Sequence, residues 1–183
     1  DLGLSRDDVS EYLGHNGVSI SQSDLDLIVG KSEGNGFLVK YALVELLNGS
    51  SVSRELFNRL RSSFINLLNE KVLIWLEAEV RELLMKLSLV DSFDINLARI
   101  LSGMGNIGGV IQRAEESGNF LHKDGENYTI RPTMREALYN ELRRCCSQEQ
   151  INGCKRNIAL YYEMTGNEAK AIEFYASCHD ADK

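Results

Sequence analysis

The sequence predicts a mainly α-helical chain with one short β-hairpin. Only one of its 183 residues is proline, so few positions forbid a helix. Apolar residues recur at i, i+3 and i+4 spacing along most of the chain, and residues that commonly cap helix N-termini precede several of these stretches. An Asp-Gly pair between two short β-like stretches indicates the hairpin.

The composition is typical of a folded protein and excludes several functions. Hydrophobic residues make up 43% of the chain and charged residues 26%, which is ordinary for a globular domain. The net charge of −7 argues against direct nucleic-acid binding, because such binders usually present a basic face. No apolar stretch approaches the ~18 residues that a membrane helix requires. We therefore expect a cytoplasmic protein without membrane contact.

The four cysteines are expected to be small, mostly buried apolar residues in a reducing compartment. They are Cys145, Cys146, Cys154 and Cys178. Their spacing lacks the paired CxxC pattern of a zinc site, so we expect no metal.

The pattern of residues 1–50 predicts a small three-helix domain. Ser5 with Asp8 and Ser21 with Asp24 are capping-box patterns that each open a helix. A turn-rich loop is expected from Lys31 to Gly36, and a third helix from Phe37 to Leu47. The chain begins at Asp1 rather than at Met, and we expect it to be an internal piece of a longer protein.

Residues 51–147 predict a long leading helix followed by helix, helix, hairpin and helix, which is the order of a winged-helix domain. The leading helix is expected from Arg54 to Leu68. The apolar stretch Val72–Leu76 is short enough for a strand, but a helix start is preferred because apolar residues continue at helical spacing to Leu87. Asp94 should cap the helix Ile95–Ser102. The next helix should bury Ile107, Val110, Ile111 and Ala114 and end at Gly118. A hairpin with a four-residue loop around Asp124-Gly125 follows, and then a helix opened by a Thr133/Glu136 capping box.

Residues 148–183 predict the start of a helical-repeat, TPR-like domain. One helix carries Ile151, Cys154, Ile158 and Tyr162 at helical spacing and ends at Gly166. A second starts at Asn167 and should be lined by Ala169, Ile172, Phe174, Tyr175 and Cys178. A glycine turn between two such helices is typical of helical repeats.

No complete catalytic motif is present, so we expect no enzymatic activity. The string Gly103-Met104-Gly105-Asn106-Ile107-Gly108 matches GxGxxG, but a dinucleotide site needs a strand before it, and this stretch follows a helical pattern. Gly34-Asn35-Gly36 lacks the Lys-Ser/Thr of a P-loop. His15, His122 and His179 have no neighbours that suggest a triad.

The winged-helix order also raises the possibility of DNA binding. The helix from Gly109 to Ser117 would then enter the major groove, where Gln112 and Arg113 suit base contacts. Glu115 and Glu116 would face phosphates with unfavourable sign, and the wing combines Lys123 with Asp124 and Glu126. Protein packing is therefore the favoured use of this unit, with a stand-alone winged-helix DNA-binding protein as the alternative.

Several short motifs resemble MalT-like, LuxR-family ATP-dependent transcriptional regulators of the STAND NTPase class. Two of them, Leu4-Ser5-Arg6-Asp7-Asp8-Val9 and Ser32-Glu33-Gly34-Asn35-Gly36-Phe37, resemble the small helical domain that follows the nucleotide-binding core. Those that resemble the winged helix are Leu87-Ser88-Leu89-Val90-Asp91-Ser92-Phe93, Leu101-Ser102-Gly103, Glu116-Ser117-Gly118-Asn119-Phe120-Leu121, Tyr128-Thr129-Ile130-Arg131-Pro132 and Met134-Arg135-Glu136-Ala137-Leu138. The stretch from Ala159 to Ala176 resembles the start of the repeat sensor domain.

The resemblance implies that this chain is the regulatory middle of such a regulator. It would contain no cofactor itself, while a preceding P-loop domain would bind ATP or ADP and a following part would sense an effector and read DNA. Its partners would be these NTPase and sensor domains. In the family, a histidine before the proline at this strand-to-helix junction often contacts the ADP phosphate. Arg131 occupies that position here, so the resemblance implies Arg131 as a possible phosphate contact.

Overall fold

The computed structural model describes residues 3–117 and 120–179, which form two compact units divided between Asn66 and Leu67. The described residues form helices joined by short connections, with one two-stranded sheet. The helices are α1 (Arg6–His15), α2 (Gln22–Ser32), α3 (Gly36–Leu47), α4 (Arg54–Lys71), α5 (Ala78–Leu87), α6 (Ile95–Ser102), α7 (Ile107–Glu116), α8 (Pro132–Cys145), α9 (Gln148–Met164) and α10 (Glu168–His179). The strands are β1 (Leu121–Asp124) and β2 (Asn127–Ile130). The mainly helical prediction with one hairpin is confirmed.

The first unit contains α1, α2, α3 and the first part of α4. The predicted capping box of α1 is present, because Ser5 Oγ accepts from the Asp8 N–H at 3.2 Å and Asp8 Oδ2 accepts from the Ser5 N–H at 2.8 Å. Ser21 Oγ caps α2 by accepting from the Asp24 N–H at 3.1 Å. The core of this unit consists of Val9, Leu13, Leu25, Ile28, Leu38, Val39, Ala42, Leu43, Leu56, Phe57 and Leu60.

The division between the two units falls inside α4. Leu56, Phe57 and Leu60 at the start of α4 belong to the core of the first unit, so the leading helix contributes to the helical bundle that precedes it. The predicted domain limits at 50/51 and 147/148 stay predictions.

Two connections differ from the sequence prediction. The predicted loop Lys31–Gly36 is shorter, since α2 continues to Ser32 and Gly36 is the first residue of α3; Glu33 and Gly34, both with positive φ, make the turn. The stretch Val72–Leu76 does not start the next helix. It forms a 3-10 turn at Leu73–Trp75, and the backbone of Leu76 is extended before α5 begins.

The hairpin turn is shorter than the predicted four-residue loop. Asp124 pairs with Asn127, which leaves only Gly125 and Glu126 in the loop. Gly125 has a φ of +61°, and glycine with positive φ at the first loop position is the signature of a type II′ turn. The strands therefore extend one residue further than the apolar pattern indicated.

The predicted Thr133/Glu136 capping box is wrong. Helix α8 begins at Pro132, its N-cap residue is Arg131, and no side chain caps its N-terminus. Proline suits the first helical position because its fixed φ matches the helix and its missing N–H would have had no partner there. Thr133 consequently lies inside the first turn, where it is buried.

Helices α9 and α10 form an antiparallel pair. Helix α9 begins at a Ser147/Gln150 capping box that the sequence prediction missed, and Gly166, with a φ of +76°, lies in the turn after it as predicted. The predicted lining of α10 is partly wrong, since Ala171 is buried whereas Ile172 is 68% exposed. The side chain of His179 lies outside what the structure describes.

The cysteines are less buried than the sequence suggested. Cys145 is exposed, and Cys146, Cys154 and Cys178 are half-buried, all as free thiols. In the described residues, no helix combines the length and apolarity that a membrane crossing requires. The predicted end of α7 at Gly118 falls outside the described residues.

Candidate functional site: the winged-helix region

Helix α5 organises the winged-helix region by packing against α6, α7 and α8. Five of its ten residues are buried: Val80, Leu83, Leu84, Met85 and Leu87. Helix α6 starts where the sequence predicted, since Asp94 Oδ1 accepts from the Leu97 N–H at 2.8 Å. The remaining helices add their apolar faces to α5, so the four helices share one core.

The wing is fastened to the segment that precedes α6. Phe93 and Tyr128 exchange two backbone hydrogen bonds, of 2.9 and 2.7 Å, in an antiparallel bridge. Their rings stack with centroids 5.6 Å apart, and the Lys123 ammonium lies 5.3 Å from the Tyr128 ring centre. The bridge adds a one-residue third strand to the hairpin and fixes the wing against the helices.

Helix α7 occupies the position that would read DNA in a nucleic-acid-binding winged helix. Its apolar face is buried as predicted, through Ile107, Val110, Ile111 and Ala114. The two side chains on α7 that suit base contacts are both engaged within the protein. Gln112 donates to Glu116 Oε1 at 2.9 Å, and Arg113 is held by two carboxylates.

The Arg113 guanidinium connects α7 to the start of α5. Its Nη2 donates to Glu79 Oε2 at 2.8 Å, and its Nε lies 2.9 Å from Glu77 Oε2. The second contact is an ion pair without hydrogen-bond alignment, because Nε is buried and has no hydrogen-bond partner. The sequence pattern indicated Arg113 as a candidate for DNA contact. It could not predict the two carboxylate partners, because they lie more than thirty residues away in the sequence.

Arg131, the predicted phosphate contact, lies at the junction between β2 and α8. Its backbone N–H donates to the Phe120 carbonyl at 3.0 Å and its carbonyl accepts from the Arg135 N–H at 2.8 Å. The side chain is half-buried, its Nε is buried without a hydrogen-bond partner, and the ion pairs of residues 3–117 and 120–179 do not include it.

The position of Arg131 at a helix N-terminus favours a nearby anion. The N-terminus of a helix carries a positive partial charge, which stabilises anions and disfavours cations within the first turn. Arg131 is the N-cap residue of α8, and the first turn of α8 contains no acidic residue. A bound phosphate would offset both the guanidinium charge and the helix dipole.

The other candidate groups do not come together as a site. The GxGxxG-like stretch connects α6 to α7, with Gly103 in a left-handed conformation at the end of α6 and Asn106 capping α7. It therefore follows a helix rather than a strand. His122 is exposed on β1. Within the described part of the chain, no three His, Cys, Asp or Glu side chains are arranged to hold a metal ion.

Helix α9 is attached to the winged-helix region by a contact that sequence reasoning missed. It packs against α6, and the Tyr161 phenol lies in the neighbourhood of the Asp94 carboxylate. Burial, reinforced by the nearby Asp94, raises the pKa of Tyr161 to about 12. Asp94 thus serves both as the cap of α6 and as a contact for α9.

Comparison with known proteins agrees with this geometry. No curated protein matches the chain. Residues 69–150, which run from the end of α4 to the start of α9, match the family model of the MalT winged helix domain. This part of the chain is therefore a MalT-like winged-helix region.

Proposed function

We propose that this chain is the regulatory middle segment of a nucleotide-dependent, LuxR-family transcriptional regulator. In this proposal it packs on an NTPase domain of the STAND class and relays the nucleotide and effector state to the rest of the protein. The segment itself is non-catalytic, and ATP or ADP belongs to the NTPase domain. The match of residues 69–150 to the MalT winged helix domain supports a role in such a regulator.

The observation that carries the proposal is the contrast between Arg113 and Arg131. Arg113, on the helix that would read DNA, is neutralised by Glu77 and Glu79. Arg131 takes part in none of the ion pairs of residues 3–117 and 120–179, and it lies beside a helix N-terminus. A guanidinium can donate paired, charge-assisted hydrogen bonds to a phosphate, so Arg131 is the residue best placed to contact a nucleotide held by a neighbouring domain.

The relay would use the rigid connections of the winged-helix region. The Phe93–Tyr128 bridge fastens the wing, and the Tyr161 contact to Asp94 attaches α9 to α6. A nucleotide that binds one arrangement of the domains more tightly shifts the population toward it. Because of these connections, release of Arg131 from phosphate would move the wing, α8 and α9 together.

The test is ADP retention by the protein that carries this segment together with its NTPase domain. Arg131→Ala is expected to weaken ADP binding by about 10- to 100-fold, the range that corresponds to loss of a hydrogen bond to a charged group, and to raise basal activity. Arg131→Lys should retain part of the affinity, because it keeps the charge but not the paired geometry. Arg99→Ala, a change at an exposed arginine of α6, is the matched control. Unchanged ADP affinity in Arg131→Ala would refute the phosphate role.

The alternative function, a stand-alone winged-helix DNA-binding protein, is tested separately. A gel shift with duplex DNA at low and moderate salt should show no complex whose affinity falls steeply with salt, because α7 presents Glu115 and Glu116 and its arginine is already paired. Steep salt-dependent binding that is lost in Arg113→Ala would favour DNA reading instead.

A further inference from the structure

We propose that a pocket between the winged-helix region and α9 binds a neutral, mainly apolar small molecule with one polar group. The pocket has a volume of about 400 Å³. It is lined by residues of α5, α6, α8 and α9 and by Cys146, which follows α8. Its apolar wall includes Met85, Leu101 and Leu142, and two thiols, Cys146 and Cys154, face it. Small-molecule sites have this size and this mainly apolar lining.

The charges around the pocket favour a neutral ligand over an ionic one. Lys86 and Glu82 are its two charged lining residues, and they form an ion pair of 2.7 Å with each other. Burial raises the pKa of the Cys154 thiol above its usual range, so this thiol is uncharged at neutral pH. An ionic ligand would leave water for a site without a free counter-charge, which is costly.

The polar groups that remain are amides. Gln150 and Asn157 lie at the rim, and both are exposed. An amide side chain donates and accepts hydrogen bonds without charge. The Gln150 Oε1 already accepts from the Ser147 N–H at 2.8 Å, so Gln150 offers its amide N–H groups, while Asn157 offers both a donor and an acceptor. Together they suit one uncharged polar group on an otherwise apolar molecule.

Gly153 is the position at which the pocket can be filled by a side chain. It lies inside α9 and lines the pocket, although glycine weakens a helix interior relative to alanine. Its φ is not positive, and a Cβ built at this position would meet nothing within 4 Å. Neither backbone geometry nor packing requires glycine here, and a side chain at this position would take up space in the pocket.

A ligand in this pocket would contact the winged-helix region and α9 at once. It would therefore hold α9 in place against α5, α6 and α8. This inference does not depend on the nucleotide proposal, because it concerns another part of the region and its test needs no nucleotide.

The experiment measures alkylation of the four thiols by iodoacetamide, read by mass spectrometry, with and without neutral aromatic probes. Indole and 2-naphthol are the neutral probes, and indole-3-acetate is the anionic control. A neutral probe present at twice its dissociation constant should slow alkylation of Cys146 and Cys154 about threefold by mass action. Cys145, which is exposed and absent from the pocket lining, should react at an unchanged rate. The anion should protect none of the thiols.

Filling the pocket gives the decisive variant. Gly153→Leu should abolish protection of Cys154, whereas Gly30→Leu, at an equally open helical glycine of α2, should leave it intact. Gly153→Ala adds one methyl group, should raise the melting temperature and should reduce protection only in part, so the proposal stays testable if the leucine variant folds poorly. Absence of protection by both neutral probes, equal protection of Cys145, or full protection in Gly153→Leu would overturn the proposal.

Discussion

Arg113 and Arg131 lie in the same winged-helix region, yet their surroundings are opposite. Arg113 has two carboxylate partners from the start of α5, whereas Arg131 takes part in none of the ion pairs found among the described residues. The arginine on the helix that usually reads DNA is thus paired inside the protein, whereas Arg131 lies at the junction of β2 and α8. The fold alone does not decide what a winged helix binds; the pairing of its charges does.

The largest expected effect comes from the buried side of α7. Ile111→Ala should lower the free energy of unfolding by about 2–5 kcal/mol, because it leaves a cavity in the shared core. Ile100→Ala on α6, where the side chain is 41% exposed, is the control and should cost under about 1 kcal/mol. Urea denaturation measures both. Equal losses of unfolding free energy in the two variants would mean that α7 does not pack in the shared core. The comparison of Arg113 on α7 with Arg131 would then lose its basis.

The next effect concerns the paired arginine. Arg113→Ala should lower the free energy of unfolding by about 1 kcal/mol, since two partly exposed ion pairs are lost. The loss should shrink in 1 M salt, because exposed charge pairs are screened. A cost that is independent of salt would indicate that Arg113 acts by packing and not by its charge.

A third arginine extends the comparison to acid pH. Arg144 donates two hydrogen bonds to the buried Glu141, at 2.7 and 2.8 Å, and these hold the pKa of Glu141 below its ordinary value. The lowered pKa contributes stability above the ordinary pKa of a glutamate, and this stability is lost as the pH falls through the folded-state value. Glu141→Gln and Arg144→Ala should each flatten the fall of stability with acid, measured by urea denaturation at several pH values. An unchanged slope in both would contradict the role of this pair.

The smallest expected effect is that of Arg131 on stability. Arg131→Ala should change the free energy of unfolding of the isolated chain by less than about 0.5 kcal/mol, because the alanine keeps the backbone hydrogen bonds and the arginine side chain has no ion pair among the described residues. A loss as large as that of Arg113→Ala would show that Arg131 is a structural residue, and its phosphate role would then lose its main support.

Local features of this fold could be predicted from the sequence, because local residues determine them. The caps at Ser5, Ser21 and Asp94 and the buried face of α7 follow from residues three or four positions apart. Thr133 shows the limit of such patterns. Pro132 takes the first helical position, so Thr133 lies inside the helix and cannot be its N-cap. Ile172 shows another, because apolar residues on more than one side of α10 leave its buried face ambiguous.

The features of the candidate site depend on residues that are distant in sequence. The Glu77 and Glu79 partners of Arg113, the bridge between Phe93 and Tyr128, and the contact of Tyr161 with Asp94 join different elements. No spacing rule connects such pairs. The position of Arg131 was predictable from the motif around Pro132, but only the three-dimensional structure shows that it joins none of the ion pairs of residues 3–117 and 120–179.

The end of α10 has a consequence for local unfolding. Side chains of α9 satisfy carbonyls that the last turn of α10 would otherwise leave without a partner: Lys155 Nζ donates to the Ser177 carbonyl at 3.1 Å, and Asn152 Nδ2 to the Cys178 carbonyl at 3.3 Å. Helix α10 therefore cannot fray from its end without breaking bonds to α9. In hydrogen exchange the amides of the two helices should lose protection as one cooperative block.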